Sequence, residues 1–297
     1  MITTILSLYI ASILNPFAST EPVQAMGIYP QGKYLASLLH AAPQPVKKTD
    51  KIAPVLKATS SIAVDIDSGK TLFESNVHEK RAIASITKLM TAAIVLDENN
   101  LNEVVTISRE AASVPGSKIW LYPGEKIQVQ NLLYSIIIHS GNDAAWALAE
   151  YNAGSVEAFV DKMNEKAKKL GLENTHFTNP AGFDDKDNYS TAYDVSILGR
   201  YIYRKSFVRH AAAIKELSVT SVNGDITHNL QSTNDLLDSY LNVKGLKTGH
   251  TEKAGLCLVA ITENEFGNRI LTVMLNSPNR FEETKILTDW AFRSFIW

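Results

Sequence analysis

The chain has 297 residues, 45% hydrophobic and 20% charged, with 29 basic against 31 acidic side chains and a formal net charge of −2. This length allows one large domain or two modest ones, and a mean hydropathy of −0.06 excludes a multi-span membrane protein and a mostly disordered chain. The charge balance leaves no basic field for nucleic acid, and the single cysteine, Cys257, excludes an intramolecular disulfide and a cysteine-rich zinc site.

Residues 1–17 are almost wholly apolar or small, and polarity begins at Ser19-Thr20-Glu21. The stretch has the length of a signal-peptide core, and Asn15 and Pro16 argue against a stable span. Val23 and Ala25 place small residues at the −3 and −1 positions of a cut after Ala25, although no Lys or Arg precedes Lys33. We read residues 1–25 as an export signal, either cleaved or retained as an anchor, with the rest of the chain on the outer side of the membrane. Membrane association would then run through the N-terminus only. No cysteine is present there for a lipid anchor. Residues 26–55 carry Pro30, Pro43, Pro45 and Pro54 and the charged run Lys47-Lys48-Thr49-Asp50-Lys51, which predicts a linker with one short helical turn at 34–41.

A folded domain is expected over residues 56–297. Alternation at 61–66, a turn at Asp67-Ser68-Gly69-Lys70 and a return at 71–74 predict a β-hairpin. A helix is expected at 85–98, with Ile86, Leu89, Met90, Ala93 and Leu96 on one stripe. Further helices follow at 129–138, at 144–151 with Asp143 as its cap, at 157–170 ending on Gly171, and at 192–205 after a loop at 174–188. Strands at 243–248, 256–262 and 270–275 precede a closing helix at 281–295. Strands at both ends with helices between them predict an α+β fold whose terminal segments share one sheet.

Three short motifs could carry chemistry. Ser85-Ile86-Thr87-Lys88 opens a helix, and i,i+3 spacing makes Ser85 and Lys88 neighbours one turn apart. A serine hydroxyl needs a base to take its proton, and a lysine serves if burial or a nearby cation lowers its pKa. It is the one Ser-x-x-Lys in the sequence. Ser140-Gly141-Asn142 lies in a break between two helices, where a hydroxyl and an amide could relay a proton and hold a peptide bond. Ser-x-Asn recurs at Ser221, Ser232 and Ser277, but only the copy at Ser140 has that setting. Lys247-Thr248-Gly249 ends a strand, offering a cation and a hydroxyl to a carboxylate and a glycine that lets a ligand backbone approach. A phosphate-binding loop is excluded because Leu246, not glycine, precedes the lysine.

The order and settings of these motifs resemble the penicillin-binding protein and serine β-lactamase superfamily. The surrounding residues 84–91, 140–144 and 247–251, together with Asn174-Thr-His-Phe-Thr-Asn-Pro-Ala-Gly-Phe-Asp184, are similar to the low-molecular-mass D-Ala-D-Ala carboxypeptidases of the S11 serine peptidase family. The resemblance runs from about Thr59 to the C-terminus. It implies a DD-peptidase-like fold, an antiparallel sheet flanked by helices with an inserted mostly helical subdomain.

The same resemblance implies a serine hydrolase acting on peptidoglycan pentapeptide stems and acylated by β-lactams, with no cofactor and no metal. Ser85 would attack the carbonyl between the two D-alanines, and Lys88 would be its general base. Ser140 would pass a proton to the leaving amine, with Asn142 orienting the peptide. Lys247 would set the electrostatics of the cleft, and Thr248 would bind the terminal carboxylate beside Gly249. Main-chain N–H groups of Ser85 and His250 would form the oxyanion hole, and Arg280 is a second candidate carboxylate anchor. Many members carry a C-terminal β-rich domain and an amphipathic helix, which the residues up to Trp297 do not include. Short members include D-Ala-meso-diaminopimelyl endopeptidases, so cutting of cross-links is the alternative activity.

A β-lactamase shares the motifs. However, Glu150, Glu157, Glu165, Glu173 and Glu216 all lack the asparagine four residues on that a class A deacylating segment needs. A non-catalytic wall-binding protein is disfavoured because every catalytic side chain is present. A zinc peptidase is disfavoured because His40, His78, His139, His176, His210, His228 and His250 are scattered.

Overall fold

The computed structural model describes residues 44–48 and 51–297. The expected signal or anchor at 1–25 and the helical turn at 34–41 lie outside the described residues. In chain order the elements are β1 (Val46–Lys47), β2 (Ser60–Asp65), β3 (Thr71–Ser75), α1 (Lys88–Glu98), β4 (Val104–Thr106), α2 (Arg109–Ser113), β5 (Lys126–Gln128), α3 (Val129–Tyr134) and α4 (Asn142–Ala153). They continue with α5 (Val156–Lys169), α6 (Ala192–Tyr203), α7 (Ser206–Ala212), β6 (Glu216–Thr220), β7 (Thr227–Gln231), β8 (Val243–Thr251), β9 (Gly255–Glu263), β10 (Arg269–Ser277), α8 (Arg280–Ser294) and β11 (Phe295–Ile296).

The main sheet is antiparallel, with strand order β3-β2-β10-β9-β8. Segments from both ends of the domain therefore pair, as the sequence predicts, with Ile62 opposite Val273 and Val273 opposite Val259. Alternation sorts the two faces. Ile62, Val64, Val259, Ile261, Leu271 and Val273 join one buried cluster with the helices, while Ala63, Leu258, Ala260 and Met274 join a second with Leu287, Ala291 and Phe295 of α8 and β11. The sheet is thus covered by α8 on one side and by the helical part on the other.

Some elements differ from expectation. Leu89 to Val95 are all buried, so α1 has no single apolar stripe; it is the central helix, packed on all sides. Deleting a side chain such as Leu89 there would cost about 2–5 kcal/mol. Residues 249–251, beyond the strand expected at 243–248, continue β8. The small pairs β4–β5 and β6–β7 and the helices α2 and α7 were not expected. Residues 46–47, assigned to the linker, form β1 and pair with Phe295–Ile296. No helix among the described residues is long and apolar enough to cross a membrane.

Candidate active site

The chain enters α1 through a single tight turn, Ala84–Thr87, whose first residue holds φ at +49°. This left-handed conformation costs a non-glycine residue of order 1 kcal/mol, so the surroundings must hold it. Two glycines allow that. A Cβ on Gly182 would stand 1.9 Å from the Ala84 carbonyl oxygen. A Cβ on Gly249 would meet Ile83 O at 2.9 Å, Ala84 Cβ at 3.1 Å and Ser85 N at 3.2 Å. Gly249 therefore lets β8 lie against the serine turn. The close approach read from the sequence is real, but here the neighbour is the protein's own backbone.

The turn leaves Ser85 half-buried and places it beside Lys88 in the first turn of α1. Lys88 Nζ lies 2.8 Å from Ser85 Oγ, 2.7 Å from Asn142 Oδ1 and 2.8 Å from the Ala181 carbonyl oxygen. Only 1% of Lys88 is exposed. Burial, then the charge of Lys247, push its pKa well below the ordinary lysine value against an opposing pull from Asp143. A neutral amine has two hydrogens and one lone pair. Asn142 Oδ1 and Ala181 O accept the two hydrogens, so the lone pair is left facing the Ser85 hydroxyl. That is the geometry of a general base on a serine nucleophile.

The second motif is set by a helix break. After α3, a wide turn over Ser135–His139 leads to Ser140 at φ +66°, and α4 begins at Asn142. Such π-type turns recur at functional sites. Among the described residues nothing hydrogen-bonds the Ser140 side chain. Asn142 was expected to orient the peptide; its Oδ1 accepts from Lys88 and its Nδ2 donates to Pro115 O at 2.7 Å, so it also positions the lysine. One amide hydrogen remains for a ligand. Asp143 does not cap α4 as expected, since Gly141 occupies that position. Its buried carboxylate accepts from the N–H groups of Ile119 and Leu121, fixing the 115–125 loop over the motif.

The third motif lies on β8, the edge strand of the sheet, so its outer main-chain groups have no ladder partner there. Gly249 beside Ser85 N places that edge next to the nucleophile, as a main-chain oxyanion hole requires. Lys247 is 1% exposed; burial and the charge of Arg280 lower its pKa to about 7, and its Nζ donates to Thr248 O at 3.0 Å. Thr248 Oγ1 is 2.5 Å from Thr233 Oγ1. The His250 side chain is exposed. Arg280 Nη1 donates to Gly249 O at 2.8 Å, so one arm of the guanidinium braces β8.

Sequence reasoning missed three contributors. Asn179 Oδ1 accepts from the N–H groups of Ala181, Gly182 and Phe183 at 3.2, 2.7 and 3.0 Å, shaping the loop that brings Ala181 O to Lys88. Asp184 ties the loop to β8 by accepting from Thr251 Oγ1 at 2.6 Å. Thr233 links Thr248 to the helix break through its N–H to Ile138 O at 3.2 Å. The Asn-Pro-Ala-Gly run was a visible turn signal. Nothing local marks Thr233.

Residues 47–279 match the peptidase S11 family model, described as D-alanyl-D-alanine carboxypeptidase. The D-alanyl-D-alanine carboxypeptidase DacF of Bacillus subtilis is 38% identical over 264 residues, 86% of this chain and 66% of the relative. DacA of Escherichia coli is 35% identical over 274 residues, 87% of this chain and 66% of its own length. The chain thus spans just under two thirds of the length of these curated relatives. Among solved structures, the Streptomyces K15 DD-transpeptidase superposes with a TM-score of 0.77 at 31% identity, covering 82% of this chain and 99% of that one. Penicillin-binding protein 6B from Escherichia coli gives 0.74 at 35% identity, covering 82% and 80%. On the family match and these relatives, this chain belongs to the peptidase S11 family.

Proposed function

We propose that the chain is a serine D-Ala-D-Ala carboxypeptidase that removes the terminal D-alanine from peptidoglycan pentapeptide stems. The observation that carries this is the buried Lys88, depressed in pKa, with its lone pair facing Ser85 Oγ. Ser85 Oγ attacks the carbonyl between the D-alanines while Lys88 Nζ takes its proton. The oxyanion is held by the main-chain N–H groups of Ser85 and His250. Ser140 delivers a proton to the leaving amine, free D-alanine departs, and water then hydrolyses the ester on Ser85. Lys247, Thr248 and Arg280 face the substrate carboxylate, Gly249 keeps the strand against the serine turn, and the remaining Asn142 hydrogen holds the peptide.

A β-lactam would acylate Ser85 by the same attack. A stem-peptide substrate implies an extracytoplasmic address, which the apolar segment at 1–25 supports as an export signal or anchor, followed by a linker and then the catalytic domain.

The test is product analysis on a mixture of uncross-linked pentapeptide stems and cross-linked dimers, for the wild type and Ser85→Ala. Release of D-alanine from pentapeptides that depends on Ser85 is the expected result. Dimers resolved with pentapeptides untouched would make the chain an endopeptidase. No change in either substrate would remove the hydrolase reading.

A further inference from the structure

A second concave site lies at the other end of the sheet. Arg200, Arg204, Arg209 and Arg269 line a cavity of about 210 Å³ together with Asp67 and Tyr203. Arg200 and Tyr203 come from the C-terminal turn of α6 and Arg204 follows it; Arg209 is on α7, Arg269 begins β10, and Asp67 sits in the β2–β3 turn. The β10 end near His250 is marked by Ser277, which like His250 pairs with Leu256. Arg269 is eight residues from it, roughly 25 Å at the rise of an extended strand. The cavity is separate from the serine cleft.

Three of the four guanidinium groups are fixed by one bond edge each, with other N–H donors left over. Arg200 Nε donates to Ile66 O at 3.0 Å, Arg209 Nη1 to Tyr203 O and Arg204 O at 3.0 and 2.7 Å, and Arg269 Nη2 to Asp67 Oδ1 at 2.7 Å. The Arg204 side chain has no hydrogen-bond or ion-pair partner among the described residues. Asp67 is the one acid lining the cavity, so four positive charges face one negative. Two further acids lie behind the lining: Asp65, which accepts from Ser68 and Trp297 and keeps its charge near Arg200, and Glu263, which pairs with Lys244. Arg200 and Arg204 are also a like-charge i,i+4 pair, an arrangement that destabilises a helix. Burial and then the Arg204 charge lower the Arg200 pKa. A chain with net charge −2 thus gathers four cations in one concavity whose lining holds a single acid.

We propose that this cavity binds a phosphate-bearing ligand, a phosphomonoester or phosphodiester. One planar fork satisfies a carboxylate. Several forks arriving from α6, α7 and β10 suit a tetrahedral group with three or four acceptor oxygens. The ligand is either a free or polymer-borne phosphate or the headgroup of an anionic lipid, and both present the same oxygens.

The full chain and its Arg204→Gln form are titrated calorimetrically with glycerol phosphate, and both are floated with phosphatidylglycerol and with phosphatidylcholine vesicles. Arg204→Gln removes a side chain that makes no bond, so penicillin acylation serves as a control that stays unchanged, and the melting temperature should hold or rise slightly as the Arg200–Arg204 repulsion is relieved. The expected result is saturable one-to-one binding to the wild type, weakened about tenfold in the variant and by added salt. Arg204-dependent flotation with phosphatidylglycerol as well would make the source a lipid. Glycerol phosphate binding without flotation would make it a free or polymer-borne phosphate. Arg204→Lys, keeping the charge without the fork, should fall between the two forms. Absence of saturable binding to the wild type, or binding equal in Arg204→Gln, would overturn the proposal.

Discussion

The carbonyl oxygen of Ala181 accepts a 2.8 Å hydrogen bond from Lys88 Nζ across 93 residues of sequence. With Asn142 Oδ1 it takes up both hydrogens of the neutral amine, so the direction of the Lys88 lone pair depends on a loop that makes no hydrogen bond to Ser85 Oγ. The loop in turn depends on Asn179, whose single oxygen gathers three N–H groups, and on Thr91 Oγ1, which donates to Pro180 O at 2.7 Å.

Asn179→Ala should therefore slow acylation without removing any reacting group. Three N–H groups lose their acceptor, which costs about 1–3 kcal/mol of stability, and a misplacement of about 1 Å at Lys88 can cost up to about a hundredfold in rate. Asn179→Asp keeps the acceptor but adds a negative charge near Lys88, so its acid limb in a pH–rate profile should move upward. Fluorescent-penicillin acylation rates for both variants check this. An Asn179→Ala rate equal to wild type would show that the loop does not aim the lysine.

Positions 249 and 250 should respond in opposite ways. Gly249→Ala puts a methyl group against Ile83 O and Ser85 N, and the serine turn must shift; overpacking of this kind costs about 1–3 kcal/mol. Acylation should fall at least about tenfold. His250→Ala removes an exposed imidazole and keeps the main-chain N–H, so it should fall far less than Lys88→Ala. Equal losses at His250 and Lys88 would mean that the imidazole takes part.

Much of this was legible in the sequence because the signals were local. The hairpin at β2–β3, the helix carrying Ser85 and Lys88, and the apolar strands β8 to β10 each follow from periodicity within a short window. The all-round burial of α1 was not legible, since it depends on which helices surround it. The pair β4–β5 has three residues a strand, too few to show a period, whereas β6 carries a short alternation at Leu217 and Val219 that sequence reasoning missed. At the site, motif order identified Ser85, Lys88, Ser140 and Lys247 as candidates. The contacts of Ala181 and Thr233 arise only when segments distant in sequence meet.

Two buried lysines should give acylation a bell-shaped pH dependence. In the proposed mechanism Lys88 acts as the neutral amine, so the rate should rise through its depressed pKa; Lys247 holds the carboxylate as a cation, so the rate should fall above about 7. Lys247→Arg keeps the cation at high pH and should move the alkaline limb upward. Lys247→Gln removes a charge that lowers the Lys88 pKa, so the acid limb should shift to higher pH. An unmoved acid limb would refute the electrostatic link between the two lysines. Stability carries its own sign. Between about 7 and the ordinary 10.5, an unfolded Lys247 holds a proton that the folded chain lacks, so this group makes stability rise with pH across that window.

His228 should contribute with the opposite sign. Its Nε2 lies 2.8 Å from Glu125 Oε1, with the two side chains only 3% and 0% exposed, and its Nδ1 lies 2.7 Å from Ile119 O. Burial opposes its charge, but the bond to Glu125 and that carboxylate's charge outweigh burial and raise its pKa above the ordinary 6.5. The contribution is complete below 6.5 and is lost as pH rises through the raised value. The pair fastens β7 to the 115–125 loop, which also receives Asn142 N at Ser117 O and Asn142 Nδ2 at Pro115 O. His228→Ala leaves a buried carboxylate without its partner, so it should cost about 3–5 kcal/mol and slow acylation severalfold by loosening Asn142. The melting-temperature gap between wild type and His228→Ala should be larger at about pH 6 than at about pH 9. A gap that does not change with pH would mean that His228 keeps one protonation state, and the charged tie would have to be replaced by a neutral hydrogen bond.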